Sequence, residues 1–281
     1  VSSSFGAELL KLRKRPATWV IGIIFAAASL VFGYLLIYLV TTAVSGAETP
    51  QGAQAPQPGV PPFLLPEGFL TNVIGTFANF GSGLALIIGA LAMGSEYGWD
   101  TFKVILTQRP GRLGFLTGKL LAVALALLAI TVAIMILGAG ASYGIAIIED
   151  AAVDWPSPLE MLKGVGAGWL ILATFAAMGM ALATLFRGTA LAIGIGLVYV
   201  LVLESIFVGL ASQSETVASI GKRLPAKDAT DLSNAFGQTP QALGEAQGNT
   251  VEPATAALTL GIYTVAFLAL AVILFKSRDV T

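Results

Sequence analysis

Long apolar runs separated by short polar stretches make up most of this 281-residue chain. A helix crosses a bilayer core with about 20 mostly apolar residues. Six runs meet that length: 17–45, 70–93, 116–147, 163–185, 189–211 and 254–275. They are continuous rather than alternating, so they do not read as strands of a membrane barrel. Lipid offers no partner to backbone N–H and C=O groups, so each run must be helical. The pattern predicts an all-α integral membrane protein, a six-span helical bundle. The first run has a basic flank and small residues near its end, but it is about twice the length of a signal-peptide core, and it reads as a span.

The cations are placed unevenly around these spans. Lys11, Arg13, Lys14 and Arg15 precede the first; Lys103, Arg109, Arg112 and Lys119 lie between the second and third. Arg187 occupies the turn between the fourth and fifth, and Lys276 and Arg278 follow the sixth. All of these fall on one side, which the positive-inside rule makes cytoplasmic, with both termini there. The opposite side receives 46–69, 148–162 and 212–253. The first two are poor in Lys and Arg, and the third is mixed.

Composition narrows the chemistry. Charged residues are only 11% of the chain and mean hydropathy is +0.84, which suits lipid rather than water as solvent. Net charge is −1, which points to no nucleic-acid partner. Without Cys or His there are no disulfides, no Cys-His zinc site, no haem-ligating His and no Ser-His or Cys-His pair. No catalytic or metal-ligating set is expected.

Local features add detail. The Pro- and Gly-rich stretch 46–69 reads as an extended link. The stretch 212–253 is too long for a structureless connector, and its apolar pieces at 217–220, 232–236 and 242–246 predict two or three short helices at the outer leaflet. Glu204 is the one carboxylate well inside a span, placed to face a wet cavity, bond a neighbouring helix or meet a base of the outer segment. Small-residue pairs at Gly140/Gly144, Gly164/Gly168 and Ala192/Gly196 permit close helix packing, more simply within one bundle than at a dimer seam.

Two segments on the basic side carry the functional expectation. Residues 1–16 form an interfacial amphipathic helix, with Phe5, Leu9 and Leu12 on one face and Glu8, Lys11, Lys14 and Arg15 on the other. Pro16 ends it. The segment 94–112 leaves the second span with aromatics and charges interleaved: Glu96, Tyr97, Trp99, Asp100, Thr101, Phe102 and Lys103. A short helix there, broken before Pro110, suits protein contact. Trp99 and Phe102 would anchor it, and Glu96, Asp100 and Lys103 would set register at its rim.

With its basic N-terminal helix, six spans, the motif from Ser95 to Leu120 and a long outer segment before the last span, the chain resembles a permease of the ABC type-two exporter family over essentially its whole length. That family's usually basic position after the Tyr is Gly98 here. The resemblance implies an N-terminal connecting helix, a coupling helix at 94–112 docking on a separate ATP-binding subunit, a second permease copy or homologue, and residence in a prokaryotic cytoplasmic membrane. The residues themselves place no nucleotide site in this chain: a P-loop needs G-x-x-x-x-G-K-[ST], and the nearest approach, Gly114 to Lys119, has the wrong spacing and Leu120 where the hydroxyl should be. The chain is therefore expected to be no enzyme, with ATP and Mg held by the partner. A structural or assembly subunit, a secondary transporter and a channel are the competing readings.

Overall fold

The computed structural model of the protein describes residues 2–45, 60–98, 112–204, 206, 223–237 and 252–277. Among them every regular element is helical. In chain order these are α1 (Ser2–Lys14), α2 (Pro16–Ala43), α3 (Pro66–Tyr97), α4 (Gly114–Ile148), α5 (Pro158–Phe186), α6 (Thr189–Leu203), α7 (Pro225–Asn234) and α8 (Pro253–Ser277). Five of them, α2, α3, α4, α5 and α8, are long and apolar enough to cross a membrane. The chain is a multi-pass membrane protein.

The helix ends follow from local chemistry. Arg15 is extended and Pro16 opens α2, a position where the missing N–H has no cost. Trp19 Nε1 reaches back to the Arg13 carbonyl at 2.7 Å and closes the end of α1. Ser157 and Glu160 form a reciprocal capping box ahead of Pro158, which starts α5 five residues before the apolar run predicts. Arg187 ends α5 in the left-handed region, at φ 53°, and Gly188 passes the chain on to α6. Where 212–253 is described it holds one helix, α7. This begins at Pro225 rather than at the apolar piece 232–236, because its packed face is largely polar. The pieces 217–220 and 242–246 lie outside the described residues.

Helices α3 and α5 form the centre. Their most apolar stretches are 72% and 67% buried, against 28%, 33% and 17% for α2, α4 and α8. Their backbones touch: a Cβ on Gly89 would lie 1.9 Å from the Ala176 carbonyl oxygen, and one on Gly179 2.1 Å from that of Leu86. This close approach is the small-residue packing of membrane helices. The pairs picked out from spacing behave unevenly. Gly164, Gly168, Ala192 and Gly196 are packed against neighbours, whereas Gly140 and Gly144 meet nothing within 4 Å.

A buried polar seam ties α2, α3 and α4 together. Asn72 Nδ2 donates to the Gly33 carbonyl at 2.7 Å, Ser29 and Thr76 hydroxyls lie 3.2 Å apart, and Ser142 Oγ is 3.2 Å from the Tyr34 hydroxyl. Single π-helical turns interrupt α2 at Val31–Leu35 and α3 at Phe77–Gly81, beside this seam. Across the bundle, Thr174 and Thr264 hydroxyls pair at 2.8 Å between α5 and α8.

Candidate functional site

Charge is concentrated at two opposite ends of the bundle. At the first, α1 lies along the start of α4, so closely that a Cβ on Gly118 would come within 2.8 Å of Ser4 Cβ. The face turned inward is Ser4, Glu8 and Leu12, spaced four residues apart, with Phe5 and Leu9 half-buried beside it. Glu8 thus belongs to the packed face rather than to the polar one. The reason is Lys119 on α4: it is itself 1% exposed, and its Nζ lies 2.6 Å from Glu8 Oε2 and 3.1 Å from Glu96 Oε1.

Glu96, near the end of α3, is fully buried and is the hub of this cluster. Lys11 bonds both Glu96 and Glu8, the latter at 3.3 Å. Arg15 approaches Glu96 at 4.0 Å and donates to Ser95 Oγ at 2.9 Å and to the Leu91 carbonyl at 3.3 Å. Three cations and two carboxylates therefore lock α1, the start of α2, the end of α3 and the start of α4 into one junction. A buried charge is tolerable only when paired, and removing one partner strands the rest.

Of the four α1-region cations expected to face lipid headgroups, Lys11 and Arg15 turn into this junction, while Arg13 and Lys14 are exposed. Of the segment expected to couple to a partner, Glu96 is enclosed within the chain and Tyr97 packs half-buried against the core. Trp99, Asp100, Thr101, Phe102 and Lys103 lie outside the described residues.

At the opposite end, Glu204 follows α6 and is 2% exposed. Among the described residues it faces no cation. Its Oε2 accepts from the Ala226 amide at 2.7 Å, and the Lys227 amide also points to it, so it caps the N-terminus of α7. Tyr263 on α8 donates to the Arg223 carbonyl at 2.9 Å, and Thr71 on α3 donates to the Phe236 carbonyl, so both ends of α7 are tied to long helices. Asp228, on the packed face of α7, is 1% exposed, and neither of its oxygens has a hydrogen-bond partner among the described residues. Burial pushes its carboxyl up to about 7, with the nearby Asp231 charge adding to the effect; Lys227 and Arg223 pull the other way.

The sequence reading missed Lys119 and Asp228. The hint for Lys119 was a cation five residues inside α4, too deep to be a topology signal alone. For Asp228 a hint lay in the Pro at the first position of a short helix, which fixes where that helix begins.

The family model described as "Protein of unknown function (DUF2705)" matches residues 71–281. The chain belongs to that family. No curated protein matches the chain. Membership of DUF2705 corrects the resemblance to ABC type-two exporter permeases, since the matching family is a different one. The reason is physical. A basic helix before the first span, alternating cationic turns and a long outer segment are what topology rules demand of many membrane proteins. Only the short stretch from Ser95 to Leu120 carried anything more specific. Two charged residues of that stretch, Glu96 and Lys119, serve the internal junction. In this DUF2705 member the match begins at Thr71 and so includes Glu96 and Lys119 of that junction, while Glu8, Lys11 and Arg15 precede it.

Proposed function

We propose that this chain is the membrane permease subunit of an ATP-driven exporter, moved by a separate ATPase that docks on the face where the charged junction lies. The single observation behind this reading is the position of the junction. Glu96 and Lys119 flank residues 99–111 and meet at 3.1 Å, with Glu8 and Lys11 bound to them. A force applied to 99–111 would enter α3 and α4 together and take α1 with it. Trp99 and Phe102 are the apolar anchors for the partner in this reading, with Asp100 and Lys103 at the rim.

The rest of the arrangement follows from the same proposal. The run 189–211 is the sixth span, its first part being α6. The α1 end is cytoplasmic, as the Lys and Arg distribution asks, and both termini lie there. α1 rests at the lipid interface through Arg13 and Lys14, and α7 sits at the outer leaflet. Two permease copies surround the pathway, in a prokaryotic cytoplasmic membrane, with ATP and Mg on the partner subunit.

The test is isolation of the tagged full-length chain from its native membrane in mild detergent. A co-purifying ATP-hydrolysing subunit is expected, and Trp99→Ala and Phe102→Ala should weaken its retention by about 2 kcal/mol each while leaving insertion intact. A chain that purifies with no ATPase, or variants that retain one fully, would sink the proposal.

A further inference from the structure

The second inference concerns the other end of the molecule and stands apart from the coupling reading. Helix α7 is seated on the bundle, touching α3, α5 and α8, and its packed face carries Pro225, Asp228, Ala229, Asp231, Leu232 and Ser233. A carboxylate buried there needs a cation, hydrogen-bond donors or a proton. Asp231 is salt-bridged to Lys227. Glu204 has the backbone amides at the start of α7. Asp228 has neither kind of partner among the described residues. The charged and titratable groups that act on it are Glu204 beyond α6, Tyr263 on α8, and Arg223, Lys227 and Asp231 around and within α7; Tyr199 of α6 lies beside Glu204. Among the described residues, α3 and α5 contribute no titratable group to that set. A hard divalent cation would want six or more oxygens, yet no three acidic side chains converge into a metal-holding group among the described residues. A proton needs no coordination shell.

We propose that Asp228 is a proton-binding site that latches α7: protonated, it lets the helix stay seated on the bundle; deprotonated, it drives the helix off. Loss of the proton places a further negative charge beside Glu204 and Asp231, with no donor to receive it among the described residues. That charge is relieved only when α7 lifts and Asp228 reaches water. The two ties at the ends of α7, at Glu204 and at Thr71, make it a clasp that can open without unfolding the long helices.

The experiment is hydrogen exchange of the α7 amides in the purified full-length protein in lipid nanodiscs, from about pH 5 to about pH 8, each rate divided by its intrinsic value. Opening of α7 should rise with pH by up to about tenfold per unit and level off above the site's midpoint. Amides of α5 should show no such trend. Asp228→Asn, which mimics the protonated side chain, should keep α7 protected across the whole range. A wild-type α7 whose corrected exchange does not change with pH overturns the proposal, and this arm needs no variant to fold. So does an Asp228→Asn protein with the wild-type pH response. So does protection at high pH restored by sodium or calcium, which would assign the site to a metal cation.

Discussion

Both ends of this bundle bury carboxylates in a tight place, Glu8 and Glu96 at one and Glu204, Asp228 and the Lys227-paired Asp231 at the other, and they treat them differently. Around Glu8 and Glu96 the chain brings Lys119, Lys11 and Arg15, from two separate stretches of sequence. Around Glu204 and Asp228 it brings a helix N-terminus for one and no hydrogen-bond donor among the described residues for the other. The first arrangement pairs both carboxylates with cations, although Glu96 Oε2 keeps no hydrogen-bond partner among the described residues. The second is incomplete, and its state depends on what the surroundings supply. A junction meant to transmit force should be closed in this way, and an element meant to respond should not be.

The largest effect should come from breaking the closed end. Lys119→Ala leaves Glu8 and Glu96 buried around a missing cation, and should cost about 3–5 kcal/mol in denaturant or thermal unfolding of the purified protein. Replacing Lys119, Glu8 and Glu96 together by leucine removes the stranded carboxylates as well and should recover part of that loss, with Lys11 and Arg15 left without these partners. A single variant within about 0.5 kcal/mol of wild type would show that pairing is not what holds α1 in place.

Next in size is the open end. Asp228 has its carboxyl raised from 3.8 to about 7, so the folded state holds its proton more tightly than the unfolded chain does. The contribution is therefore fully present below the ordinary Asp range, declines as pH rises towards about 7, and is flat above it. Asp228→Asn should be more stable than wild type at about pH 8, by on the order of 2 kcal/mol, and indistinguishable from it near pH 4. Unfolding midpoints across that range measure the difference. A variant less stable at every pH would mean that the ionised carboxylate has a stabilising partner.

Glu204→Ala tests the carboxyl that has the amides of α7 as partners. It removes the acceptor at the first amides of α7 and should cost about 1 kcal/mol, read as faster exchange of those amides. The C-terminal tie through Thr71 remains, so the loss should be confined to the first turn of α7. Faster exchange spread evenly through α7 would show that Glu204 alone seats the helix.

These contrasts explain what the sequence could reveal. The long helices were legible because apolar length is a local property. The described span ends fall within a few residues of the apolar runs, except where a cap moved them, as at Ser157 and Glu160. Glu204 was visible as an anomaly, but its partner was not, since the Ala226 amide is 22 residues away and carries no side-chain signature. The junction was only half visible. Glu96 and the α1 cations stand out as charges, but periodicity alone puts Glu8 on a solvent face because it cannot see Lys119, 111 residues on. Charge pairs across a fold are set by tertiary contact, so a one-dimensional pattern records the charges and not the pairing.

The smallest effect separates cations that share one helix. Lys11 and Arg15 point into the junction, whereas Arg13 and Lys14 on the same turn are exposed. An exposed cation contributes little to folding, so Arg13→Gln with Lys14→Gln should stay within about 0.5 kcal/mol of wild type in neutral detergent. Near an anionic membrane surface each such cation is worth about 1 kcal/mol. In nanodiscs, wild type should gain stability when zwitterionic lipid is replaced by anionic lipid, and the double variant should lose most of that gain. Lys11→Gln should behave in the opposite way, losing stability in both lipids and keeping its response to lipid charge, because its partners are Glu8 and Glu96 rather than headgroups. If the two variants respond alike, the division of α1 into a junction face and a membrane face fails, and the closed end is closed only in part.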